Sequence, residues 1–173
     1  MEAIKTVTRN GLTARVFHDD LSESPRGFEN MGAIVTKKSR HISIQEGNLS
    51  VAEAEKAIEK DEVLGLPVYA YVHGNIALST SPFSCPWDSG QVGFITASKE
   101  KVREVYGVKR ITKQVRELAL KGLKCEVAML SDYVNGDVYY VQVFNDKGDV
   151  VESGGGFIGD EALEDALDNM LGK

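Results

Sequence analysis

Glycine-containing reversals limit this fold more than any other feature: Asn10-Gly11, His73-Gly74 and Asp146-Lys147-Gly148-Asp149 each separate two short apolar segments. Such pairs supply the positive φ of a tight turn, and a tight turn joins antiparallel neighbours, because a parallel crossover needs about a dozen residues. The first reversal pairs Thr6–Asn10 with Leu12–Phe17, and the second pairs Leu66–Val72 with Asn75–Thr80. The third pairs the Val/Tyr/Phe run Val138–Phe144 with Val150–Ser153. Ala33–Thr36 and His41–Ile44 read as a further short pair, with lysines and Arg40 between them. Gln91–Ala97 reads as one more strand.

Helical spacing fills much of the remainder. Ser50-Val51-Ala52-Glu53 is a capping box, followed by Val51, Ala54, Ala57 and Ile58 on one face. Ser98 caps a short helix through Tyr106, which Gly107 stops. A longer helix spans Thr112–Asp132, with Ile111, Val115, Leu118 and Gly122 along one face and Leu123, Val127 and Leu130 extending the apolar surface, before Asn135-Gly136 turns the chain into the next strand. Asp160 caps a final helix whose Leu163, Leu167, Met170 and Leu171 face inward. Hairpins with about four helices predict an α+β fold, a single domain over 1–173 with a mostly antiparallel sheet. The length of 173 residues and 42% hydrophobic content suffice for one core.

The formal charge of −6 argues against a general phosphate-backbone binder. No run reaches the ~18 apolar residues of a membrane span, and Met1–Val7 lacks the pattern of a signal peptide. Cys85 and Cys125 stand far apart with neither disulfide nor zinc spacing, so the expectation is a reduced, cytoplasmic chain.

Ser81–Ile95 holds the only Trp, one of two Cys and two of four Pro. Stiff, bulky residues in a connection suggest a shaped surface. Trp87, framed by Pro82 and Pro86, is a candidate binding anchor, with Phe83, Asp88 and Gln91 beside it. The competing reading is that Trp87 covers a sheet end while Asp88 caps a turn. An enzymatic reading makes Cys85 a nucleophile, His73 its base and Asp88 the orienter. Cys85 precedes a proline rather than opening a helix, and free Cys is usually a small buried hydrophobe, so no catalytic residue is assigned.

Lys109, Arg110, Lys113, Arg116, Lys121 and Lys124 form a basic region for an acidic partner or nucleic acid. A solvated face relieved by Glu104, Glu117 and Glu126 is the simpler account. Ser153–Asp160 is Gly-rich but lacks P-loop residues and ends in acids, which favours a flexible connection or close-packed backbone. His18, Asp19, Asp20 and His41 lack paired metal spacing, so no metal is assigned, and no motif asks for a cofactor.

The segment Pro82–Ile95 (PFSCPWDSGQVGFI), with Ser98–Arg103 and Tyr106–Ile111, resembles a family of hypothetical proteins of bacteriophages and other bacterial mobile elements. The likeness extends to Ser24-Pro25-Arg26, Asn30-Met31-Gly32 and Gly136–Tyr139. Relatives tend to carry Cys-Trp at or near Gly154-Gly155, so no ligand chemistry carries over there. The resemblance implies an accessory protein that binds host machinery inside a bacterium, such as an inhibitor of a defence system of the anti-CRISPR or anti-restriction type. It brings no activity and no catalytic residue. The alternative is a small enzyme or nucleotide-handling protein built on Cys85, His73 and Asp88.

Overall fold

Alternating apolar strands pair into two four-stranded antiparallel sheets, accompanied by four helices, in the computed structural model, which describes residues 2–173. In chain order the elements are β1 (Lys5–Arg9), β2 (Leu12–His18), β3 (Ala33–Thr36), α1 (Val51–Glu59), β4 (Val63–His73), β5 (Asn75–Ser79), β6 (Ser89–Ser98), α2 (Lys99–Tyr106), α3 (Lys113–Asn135), β7 (Val138–Phe144), β8 (Val150–Ile158) and α4 (Asp160–Leu171). The α+β class, hairpin-built antiparallel pairing and four helices agree with the sequence reading. Contacts gather into two compact units. One comprises the chain up to Gly27 with Asp132–Lys173, the other Phe28–Ser131.

In the first unit the strand order is β1-β2-β7-β8. Asn10 and Gly11 adopt φ of 53° and 77°, the positive pair that a two-residue hairpin turn requires. Ala14, Val16, Val141 and Val143 share one face by strand periodicity, and α4 buries Leu163, Leu167 and Leu171 with them.

Two expectations need correction here. The Gly-rich run is not a loop after the strand: β8 continues through Gly154–Gly156 to Ile158. Side-chain ends lie against it, since a Cβ on Gly154 would lie 3.0 Å from Met170 Cε and one on Gly155 2.7 Å from an Asp19 carboxylate oxygen, while Gly155 and Gly156 stay exposed. Nor does Asp160 cap α4. Gly159 occupies that position without a side-chain cap, and the Asp160 carboxylate instead accepts a 3.0 Å bond from the Tyr139 hydroxyl. Burial first, then that carboxylate, pushes the Tyr139 phenol up to about 12.

In the second unit the order is β3-β6-β4-β5. Leu64, Val68 and Ala70 of β4 share a core with Ile95 and Ala97 of β6 and with Ala119, Leu123, Val127 and Leu130 of α3. Their helical spacing of four, four and three makes this the buried stripe. Leu118, expected inside, falls off that stripe and is 45% exposed. Near the start of β4, α1 covers the opposite sheet face, where Ala54 joins Val35 and Phe94.

The capping box at Ser50 and Glu53 forms as expected. The Ser50 hydrogen bonds hold the Glu53 carboxyl below its ordinary value. Ser98 caps α2, and Gly107 ends it at φ 62°. His41–Ile44 does not form the expected strand. Hydrogen bonds from Thr36 N to Ile44 O (2.9 Å) and Ser39 N to Ile42 O (3.0 Å), with the bridge Val35↔Gln45, hold it as an irregular arm beside β3.

Candidate functional site

The second unit's strand order explains why the Trp87 loop exists. Both β5 and β6 run antiparallel to β4, one on each side, so they are parallel to each other. Ser79 ends β5 opposite Tyr69, and Ser89 begins β6 opposite Tyr71. Residues 80–88 must therefore cross the sheet over β4. The direct path spans about two strand spacings, roughly 10 Å, whereas that many residues reach roughly 30 Å when extended. The surplus chain is what stands out from the sheet.

The crossing passes over the face opposite the α3 core. Tyr71 and His73 alternate with buried Ala70 on β4 and so point the other way. Phe83 settles on Tyr71 with ring centroids 5.8 Å apart, and the Tyr71 and His73 rings lie 6.1 Å apart. At the far end His73 Nδ1 lies 3.1 Å from Asp88 Oδ2. Val72 N donates to Asp88 O at 2.9 Å, and the Ser89 hydroxyl donates to the Cys85 carbonyl. The loop is thus pinned at Phe83, Cys85 and Asp88.

Between those pins Trp87 is 91% exposed. The reading in which it covers a sheet end is overturned: Asp88 beside it is bonded to β4, and the indole is exposed to solvent. Asp88 does not cap a turn within the loop either, since its carboxylate meets the imidazole on the neighbouring hairpin tip. Gln91 is exposed on β6 opposite Tyr69.

Of the enzymatic constellation, the structure joins His73 to Asp88 and joins Cys85 to neither by a hydrogen bond. Cys85 is half-buried. A nucleophile needs its base within hydrogen-bond reach, so the arrangement lacks that link.

The basic residues Lys109, Arg110, Lys113 and Arg116 lie elsewhere. Arg116 and Lys99 both hold Asp61, two residues before β4 begins, whereas the Trp87 loop sits where β4 ends. β4 is eleven residues long, roughly 36 Å at strand rise. The loop and the basic start of α3 therefore occupy opposite ends of this sheet and do not form one surface. The two cations hold the Asp61 carboxyl below its ordinary value, Lys99 contributing first.

Two of the four residues weighed as metal ligands, His18 and Asp19, have other engagements. The His18 ring stacks on Tyr139 at 5.9 Å, and the Asp19 carboxylate accepts from Gly156 N at 2.8 Å and Leu21 N at 3.3 Å. A cavity of about 510 Å³ opens beside His18, Asp19, Asp20, Leu21 and Tyr140. His41 is exposed at the tip Lys37–His41. Sequence reasoning passed over Lys37, Lys38 and Arg40 at that tip; the available signal was a basic run between two apolar segments. No helix among the described residues is long and apolar enough to cross a membrane. No family model, curated protein or solved structure matches this chain.

Proposed function

We propose that the chain acts by binding a protein partner through the Cys85–Gly90 loop, with Trp87 as its anchor. One observation carries the proposal: an indole 91% exposed on a loop pinned on both sides by hydrogen bonds and ring contacts. Burying a Trp removes roughly 150–250 Å² from water, a gross gain of about 4–6 kcal/mol at ~25 cal/mol per Å². The pins lower the ordering cost of using it, which is how a preorganised anchor raises affinity. The resemblance of Pro82–Ile95 to phage and mobile-element proteins supports host machinery as the partner, a bacterial defence system being the class to test first.

Two measurements test this. Tagged protein captures a defined host protein from nuclease-treated lysate, and Trp87→Ala abolishes that capture at unchanged Tm; capture that survives the substitution sinks the loop as the interface. For the defence assignment, expression in a bacterium whose CRISPR or restriction system limits phage plating restores plating, and unrestored plating removes it.

The His73–Asp88 contact favours a second reading, a cysteine enzyme or nucleotide-handling protein. It requires rapid alkylation of Cys85 at neutral pH that slows in His73→Ala, and an inert Cys85 ends it.

A further inference from the structure

Three segments lie at the same end of the second unit's sheet. Thr36, the last residue of β3, pairs with Gly93, and Lys37 N donates to Val92 O at 2.7 Å. The chain leaving β3 therefore heads toward the Ser89 start of β6. Ser89 itself pairs with Tyr71, two residues before β4 ends at His73. The tip Lys37–His41, the hairpin tip at Gly74 and the Trp87 loop consequently share this end.

Its charge is one-sided. Lys37, Lys38 and Arg40 are exposed, and none is paired with a carboxylate among the described residues. Ser39 keeps the tip folded, its hydroxyl donating to Ile42 O at 2.8 Å and accepting from Ile42 N at 2.9 Å. Asp88, the carboxylate of the loop, is held by His73. Within Phe28–Ser131 Lys and Arg outnumber Asp and Glu, so the acidic excess of the chain lies outside this unit.

We infer that the tip Lys37–His41 and Trp87 form one contact end whose partner is an acidic protein surface, an apolar pocket for the indole rimmed by carboxylates. The inference rests on the loop being the interface and adds the chemistry of what it meets. An aromatic anchor surrounded by cations gives affinity from the ring, and on-rate and selectivity from the charges. A nucleic acid fits less well. Three cations clustered at one tip form no track along a strand.

The sole Trp reports directly on this end. A glutamate–tyrosine copolymer is titrated into the full chain while indole emission is followed, with polyglutamate and an oligothymidylate of about twenty nucleotides in parallel. The copolymer is expected to perturb Trp87 more tightly than either control, with affinity falling roughly tenfold between about 50 and about 300 mM NaCl. Lys37→Glu/Lys38→Glu/Arg40→Glu is expected to abolish the response, whereas Lys109→Glu/Arg110→Glu/Lys113→Glu, at the opposite end, is expected to retain it. Retained binding in the first variant, equal loss in the second, or tighter binding of the oligothymidylate overturns the inference. The loop reading fails separately: if Trp87→Ala abolishes capture of the host protein and the first charge reversal does not, the loop stands and the acidic-partner inference falls.

Discussion

His73 Nδ1 and Asp88 Oδ2 lie 3.1 Å apart, joining the tip of the β4–β5 hairpin to the loop that crosses over it. Both groups are substantially exposed, so the pair contributes little to global stability. Its consequence is local, because Asp88 is covalently next to Trp87. His73→Ala and Asp88→Ala are each expected to leave Tm within about 2 °C of the parent while lowering the fluorescence anisotropy of Trp87. Unchanged anisotropy in both would show that the pair does not orient the indole.

Trp87→Ala separates stability from recognition. An almost fully exposed side chain contributes little to the core, so the change in unfolding free energy should stay within about 0.5 kcal/mol. Loss of a central aromatic anchor should weaken partner binding roughly thirtyfold, the effect of about 2 kcal/mol. Urea denaturation and titration calorimetry on the captured partner measure the two quantities.

Gly93→Ala should be among the most damaging single-methyl additions in the second unit. A Cβ there would lie 1.9 Å from the Val35 carbonyl oxygen and 2.7 Å from Thr36 Cα, and backbone atoms cannot rotate away as a side chain can. The β3–β6 pairing must separate locally. A loss of about 3 kcal/mol or more, or failure to accumulate as folded protein, is expected. Gly90→Ala is the control, because nothing lies within 4 Å of its Cβ position. Similar urea midpoints for the two variants would contradict this.

Asp61 should make stability fall in acid. Its folded carboxyl is held below the ordinary value by Lys99 first and then Arg116. The stabilisation is therefore present above the unfolded carboxylate range, about pH 4, and disappears as pH falls through the lowered folded value. Asp61→Asn should lower Tm at pH 7 by about 1–2 °C, less in high salt, and make no difference in strong acid. A pH series of thermal melts checks the convergence.

Asp132 has the opposite sign. Burial first, then Asp137 and Asp160, raise its carboxyl above the ordinary value. The folded state then holds the proton more tightly than the unfolded chain. Stability from this residue is highest in acid and declines as pH rises from about 4 through the raised value. Asp132→Asn should raise Tm by about 1 °C at pH 7 and lose that advantage in acid. A lower Tm for the variant at neutral pH would reverse the assignment.

Local chemistry by itself determined much of the fold. Asn10-Gly11, the capping box at Ser50 and Glu53, the stop at Gly107 and the strand Val138–Phe144 are all read correctly from neighbours in sequence. Each depends on positive φ, orphan amides or alternation within a few residues, so a single sequence carries the whole signal. His41–Ile44 and Leu118 misled because pairing partners and helix phase are chosen by the surrounding fold.

The loop Ser81–Ser89 was legible as unusual, but its composition fits a buried cover and an exposed anchor equally well. Only the tertiary structure decided between them. β5 and β6 flank β4 in the same direction, so the connection has to cross the sheet with chain to spare, and the surplus carries Trp87 into solvent. The same register set the basic start of α3 at the far end of β4 and brought Lys37, Lys38 and Arg40 to the Trp87 end instead. Strand order is a long-range outcome of which apolar faces bury together. Residue types along the chain determined the elements, and the pairing of distant strands determined which side chains face a partner.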